Sequence, residues 1–195
     1  MTASSALDAL DDLIGLAPPD KTAVIVPEAK VSVSYGALRT GMEIVPALAA
    51  LLASAELDRA ANLRRSVREF ARARGLAEGD VCLLVPGTAV EPSLSIAALA
   101  TLTTSGRLIL PMRFNPLVFW RLARDYGATW YAATPAEHQW LLARAADPRG
   151  RRPAGSERLR FILSCGAPLP ARVGPALEAA FGAPVFTYNA PVGLG

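Results

Sequence analysis

From residue 58 onward the chain alternates two patterns, and that alternation limits the possible folds more than any other feature. Short apolar runs recur at Val81–Val85, Arg107–Leu110, Ala128–Ala132, Leu159–Ser164 and Pro184–Tyr188. Each is short enough for a strand, and several are apolar throughout, as strands covered on both faces must be. Helical patterns separate them. In 58–74, Leu63, Val67, Phe70 and Ala71 share one face while Arg59, Arg64, Arg65, Arg68 and Arg72 cover the rest. Residues 94–104 read as a helix of small residues. Asn115-Pro116 reads as a cap and first turn, with Val118, Phe119 and Leu122 turned inward. Thr134-Pro135-Ala136-Glu137 reads as a capping box opening a helix that ends near Ala146, and 170–181 reads as the last helix. Strands that alternate with helices pair in parallel through right-handed crossovers. The fold class is therefore α/β, a largely parallel sheet with helices on both faces.

The first 57 residues differ in style. Residues 4–15 have a helical period, Thr22–Val26 and Val31–Ser34 form a hairpin, and 35–55 is helical in pattern with Pro46 as a kink or break. The division is 1–57 for helix, hairpin and first helix, and 58–195 for the βα-repeating lobe, together one structural domain. With 52% hydrophobic and 19% charged residues, the chain has the material for a sizeable core. A net charge of +3 is too small to imply a nucleic-acid partner. Cys82 and Cys165 sit in apolar runs and read as buried free thiols, which fits a reducing cytoplasm. The N-terminal segment is acidic and has no secretory pattern, and the most apolar windows, 44–55 and 94–102, are too short to span a bilayer.

Four segments invite a chemical reading. Thr103-Thr104-Ser105-Gly106 has phosphate-loop composition, but a helix precedes it and a strand follows, the reverse of what such a loop needs, so it reads as a helix stop. The arginines of 58–74 ring their helix without interleaved aromatics and read as a solvated face. His138, the single histidine, excludes a multi-histidine metal site; it reads as a surface or packed residue, with a place in a substrate pocket as the functional alternative. Ser164-Cys165-Gly166-Ala167-Pro168 ends an apolar strand in residues small enough for a flat ring to lie against the backbone, and an ordinary strand-to-helix turn has the same composition.

The run LRFILSCGAPLPARVGPALEAAFGAPVFTYNAP resembles the N-terminal domain of acyl-adenylate-forming enzymes, the AMP-binding acyl-CoA synthetases and their luciferase and peptide-synthetase relatives. ATWYAATPAEHQWLLARA is similar to that family's Thr/Pro/His segment before a helix, and GRLILPMRFNPLVFWRLARDYGATWY and DKTAVIVPEAKVSVSYGALR resemble neighbouring parts of it. The resemblance implies ATP-dependent adenylation of a carboxylate, Mg²⁺ at the phosphates, and transfer of the acyl group to coenzyme A. It places the adenine-side surface at Gly166, Ala167, Pro168 and Tyr188, the last as the stacking aromatic.

Against the same pattern several functional positions differ. LLASAELDRAANL stands where a Ser/Thr/Gly-rich phosphate loop with a lysine is expected, as though an internal segment were deleted. Pro86–Glu91 lacks the ring side chains of the family's His/aromatic loop. Asn189, Pro191 and Val192 replace a Gly, a Thr and the Mg²⁺-binding Glu, and a valine side chain cannot hold magnesium. The ribose-binding Asp and the lobe with the catalytic Lys would lie beyond residue 195, so the resemblance implies a truncated member. Loss of one oxyanion-type donor costs about 10²–10³ in rate. The expectation is a chain inactive or nearly so alone, with no catalytic or metal residues and at most residual adenine or acyl binding. The alternative is a non-catalytic module that docks on a full-length synthetase or a carrier protein.

Overall fold

A computed structural model describes residues 14, 17–40, 48, 60–85, 91–145 and 152–189. Seven strands form one sheet: β1 (Thr22–Val26), β2 (Val31–Ser34), β3 (Val81–Leu84), β4 (Arg107–Ile109), β5 (Trp130–Ala133), β6 (Phe161–Cys165) and β7 (Val185–Tyr188), in the order β2-β1-β4-β3-β5-β6-β7. Only the β1–β2 hairpin is antiparallel, and every other pair is parallel. Six helices are described: α1 (Tyr35–Thr40), α2 (Ala60–Arg74), α3 (Pro92–Thr103), α4 (Phe119–Tyr126), α5 (Pro135–Ala145) and α6 (Val173–Phe181).

The alternation of side chains along each strand splits the core in two. Cys82, Leu84, Leu108, Trp130, Ala132, Phe161, Leu163 and Cys165 pack with residues of α1, α2 and α3. Leu83, Ile109, Tyr131, Ala133 and Ile162 pack with residues of α4, α5 and α6. Both faces are covered, which is why β3, β5 and β6 are buried throughout. The helix α3 is buried from Ser93 to Leu102 because α2 packs across it, and its alanines let the two come close. Its threonine hydroxyls are satisfied within the helix: Thr101 and Thr103 donate to the carbonyls of Ala97 and Leu99 (both 2.8 Å).

The ends of several elements lie where side chains, not periodicity, put them. The helix expected from Asn115 starts at Phe119, because Asn115 folds 115–118 into a tight turn. Its carbonyl accepts from the N–H groups of Val118 and Phe119 (3.2 and 3.1 Å), and its Oδ1 accepts from Leu117 N–H (3.0 Å). The last helix starts at Val173, after a turn in which Pro170 accepts from Val173 N–H. Glu137 caps α5 by accepting from Thr134 N–H (2.9 Å), while the Thr134 hydroxyl donates to the same carboxylate. The segment Thr103–Gly106 is a helix stop: Ser105 takes φ 57° and Gly106 N–H returns to Thr101 O. The expected helix at 4–15, the Pro46 break, the loop at 86–90, and Pro191 and Val192 lie outside the described residues.

Two buried polar devices lock the sheet. Tyr35, at the start of α1, donates its hydroxyl to the carbonyls of Leu102 and Gly106 (3.1 and 2.6 Å), tying the hairpin side to the turn between α3 and β4. At the N-terminal edge Asp80 is buried. It accepts from Arg160 Nη1 through both carboxylate oxygens (2.5 and 2.6 Å), from Thr129 Oγ1 (2.8 Å) and from Ala77 N–H (2.8 Å). One carboxylate thereby joins the entries to β3, β5 and β6.

Candidate functional site

The strands β5, β6 and β7 run in parallel, so their C-terminal ends share one edge, the side on which open α/β sheets hold ligands. Cys165 closes β6 opposite Tyr188, the last residue of β7. Gly166 then takes φ +88°, a left-handed conformation that favours glycine, and turns the chain outward. Ala167 and Pro168 lie on the surface, and Leu169 anchors the turn in the second core. Gly166, Ala167, Pro168 and Tyr188 are thus assembled at adjacent strand ends.

Tyr188 is half-buried and supported by other rings. It meets Phe70 of α2 edge-on at 5.1 Å, Phe70 lies 6.2 Å from Trp130, and Trp130 stacks on Phe161 at 4.8 Å. Burial holds the Tyr188 phenol above its ordinary range, with smaller contributions from Cys165 and Glu69. Tyr188 is therefore a neutral, positioned aromatic surface at neutral pH.

Glu91 completes the edge, and its loop position gave no hint of this. It precedes Pro92 at the start of α3. Its carbonyl accepts from the N–H groups of Leu94 and Ser95 (3.0 and 3.3 Å), while its side chain makes no cap. The carboxylate lies against Gly166: a Cβ there would stand 2.7 Å from Glu91 Cδ and 3.0 Å from Oε2. A methyl there would push the end of the Glu91 side chain aside. Burial, and after it the Glu91 charge, push the Cys165 thiol well up, so Cys165 is an inert thiol. The one sequence signal was a glutamate directly before a helix-opening proline.

His138 lies apart from this group. Its ring is fully buried on the face of the sheet opposite Tyr188, with Nδ1 3.3 Å from the Tyr131 hydroxyl. Burial keeps Tyr131 protonated and pushes His138 down to about 4. The Tyr131 hydroxyl then donates to Nδ1, which leaves the ring proton on Nε2. The Leu163 backbone acts on the same ring, a smaller effect in the opposite direction to burial, and the buried Ser164 hydroxyl has no hydrogen-bond partner among the described residues. No group of three or more His, Cys, Asp or Glu among the described residues is arranged to hold a metal ion.

A glycine turn and an aromatic side chain thus stand at neighbouring strand ends of a largely parallel α/β sheet. The sequence model of the AMP-binding enzyme family matches residues 56–189, and the chain belongs to that family. It is 37% identical over 127 residues to an oxalate–CoA ligase of Arabidopsis thaliana, covering 64% of this chain and 24% of that protein. It is 38% identical over 89 residues to a sulfoacetate–CoA ligase of Cupriavidus necator, covering 46% of this chain and 16% of that protein. Among solved structures it resembles ATP-bound MatB from Rhodopseudomonas palustris, with a TM-score of 0.57 and 22% identity, over 67% of this chain and 25% of that one. The last likeness is one of fold. The chain spans about a quarter or less of the length of these relatives.

Proposed function

We propose that this chain carries the base-binding side of an adenylate-forming domain, binds a purine at the ends of β6 and β7, and does not by itself activate carboxylates. The observation behind this is the placement of Gly166, Ala167 and Pro168 beside Tyr188 at adjacent parallel strand ends. The flat backbone of the turn and the aromatic ring supply two surfaces between which a heterocycle can stack. Magnesium-bound triphosphate does not fit the described residues. Glu91 reaches this edge with no cation paired to it among the described residues, Glu69 stands among Arg64, Arg65, Arg68 and Arg72 of α2, and the family's metal-binding position is Val192. Accordingly no adenylation or coenzyme A step is assigned to these residues. The relatives' thioester chemistry remains that of the longer proteins.

Titration calorimetry with adenine and adenosine tests the base site, with Tyr188→Ala as the variant. Binding should be measurable in the natural chain and weaken by about 1–3 kcal/mol in the variant, the scale of a base–aromatic stack. Pyrophosphate release with ATP, Mg²⁺ and a panel of carboxylic acids tests inactivity, and turnover at an ordinary enzymatic rate would overturn it.

A second reading, a cytoplasmic module that docks on a full-length synthetase or carrier protein, draws support from large apolar side chains left in solvent. Leu117, Met112 and Trp140 are 71%, 59% and 57% exposed. Co-elution with a purified synthetase that is lost in Trp140→Ser would support it. Among the described residues no helix is long and apolar enough to cross a membrane.

A further inference from the structure

Tyr188 closes an edge strand, so hydrogen bonds hold its backbone from one side only. Among the described residues β7 stands last in the strand order, pairs with β6 alone, and leaves Phe186 and Thr187 exposed. The ring is held instead by α2. Phe70 is buried and meets Tyr188 edge-to-face, with 5.1 Å between centres and 68° between planes. Behind Phe70 stands Trp130, fully buried and 6.2 Å away. One helical turn further along α2, the Arg74 guanidinium lies over the Phe186 ring, 3.9 Å from its centre. The two contacts share a register. Four residues of helix rise about 6 Å and two residues of strand advance about 6.6 Å. Phe70 and Arg74, four apart, therefore meet Tyr188 and Phe186, two apart on one face of β7. An edge-to-face contact covers at most one face of the Tyr188 ring and leaves the other for a base. We propose that Phe70 and Arg74 are positioning residues for the base site: they clamp β7 to α2 and fix the Tyr188 ring in its stacking orientation before a ligand arrives. The inference rests on the base-binding reading above and adds what makes that surface rigid. A ring held in advance need not be ordered on binding, and a side chain ordered by its ligand costs about two- to tenfold in affinity.

A double-mutant cycle in adenosine affinity, read by calorimetry, tests this. Phe70→Leu keeps α2 helical and apolar but removes the ring, and it should weaken adenosine about fivefold. In a Tyr188→Ala background the same substitution should change affinity by less than about twofold, because Phe70 acts only through Tyr188. Arg74→Ala opens no core cavity and should weaken adenosine by about two- to threefold, again only while Tyr188 is present. Fluorine NMR of the natural chain labelled with 3-fluorotyrosine needs no core substitution. The Tyr188 signal, assigned by its loss in Tyr188→Phe, should be displaced from the free amino acid by the neighbouring Phe70 ring. In Phe70→Leu it should move back toward the free position. Equal losses of affinity with and without the Tyr188 ring would make Phe70 a general packing residue and overturn the proposal. A Tyr188 signal at the free position in the natural chain would overturn it as well. If adenosine does not bind the natural chain, the base-binding reading falls and takes this inference with it. Binding that depends on Tyr188 but not on Phe70 or Arg74 leaves the base site standing and removes the clamp alone.

Discussion

At the scale of single residues the stability of this chain depends on a few buried polar groups with defined partners. Asp80 is the strongest case, since four donor contacts converge on a buried carboxylate while Arg160 remains partly in solvent. Asp80→Ala should cost about 1–3 kcal/mol in urea unfolding, because Thr129 and the Ala77 N–H lose a shared acceptor while the freed Arg160 returns to solvent. Tyr35→Phe removes one hydroxyl that serves two carbonyls and should cost about 1–3 kcal/mol in the same assay. His138 predicts a pH dependence. Its folded value, about 4, lies below the usual value of 6.5, so the folded state favours the neutral ring. Its contribution is fully present above about pH 6.5 and is lost as pH falls toward 4, roughly 3 kcal/mol in all. Stability measured from pH 7 to 4 should fall by that order, and His138→Leu should flatten the curve. His138 is the single histidine, and the difference from His138→Leu separates its share from that of the carboxylates that titrate toward pH 4.

At the scale of elements the periodic segments were legible and their ends were not. The apolar runs at 81–85 and 128–132 are strands because they are buried on both faces, and their apolar character along the whole run carried that information. The start at Phe119 rather than Asn115 was hidden, because Asn115 can cap a helix or close a turn, and Pro116 serves both. Glu91 was hidden in another way. Its sequence neighbours describe a helix entry, and its functional neighbour, Gly166, is far along the chain. Gly166→Ala tests that contact directly. The positive φ and the missing space should cost more than about 1 kcal/mol in stability, and the new methyl should displace Glu91 and weaken nucleoside binding. A variant that binds and unfolds like the natural chain would show that the two residues do not touch.

At the scale of the whole molecule the sheet is covered on both faces in its middle and open at its rims. The strands β3, β5 and β6 are buried along their length, whereas β2 and β7 have exposed residues and stand at the two ends of the strand order. On β7 the outward N–H of Val185 is covered by Glu178 Oε1 (2.9 Å), a carboxylate that discourages strand addition at that point. Amide hydrogen exchange should therefore be slowest in β3, β5 and β6, where it follows global unfolding, and faster in β2 and β7. Equal protection of β7 and β5 would mean that a partner covers the outer edge in solution, which would favour the docking reading.

The sequence by itself determined the layer architecture and the parallel character of the sheet, because hydrophobic period and strand–helix alternation are local properties written along the chain, and its motifs carried the resemblance to the family. It also placed Gly166, Ala167, Pro168 and Tyr188 together, since a parallel βαβ unit brings the ends of consecutive strands to one edge. Only the tertiary structure decided that His138 is buried on the far face of the sheet, that Asp80 binds Arg160 across the entries of three strands, and that the carboxylate of Glu91 rests on the glycine turn. Each of these contacts joins segments whose relative position comes from strand order and helix packing, and neither is encoded in the residues on either side of the contact.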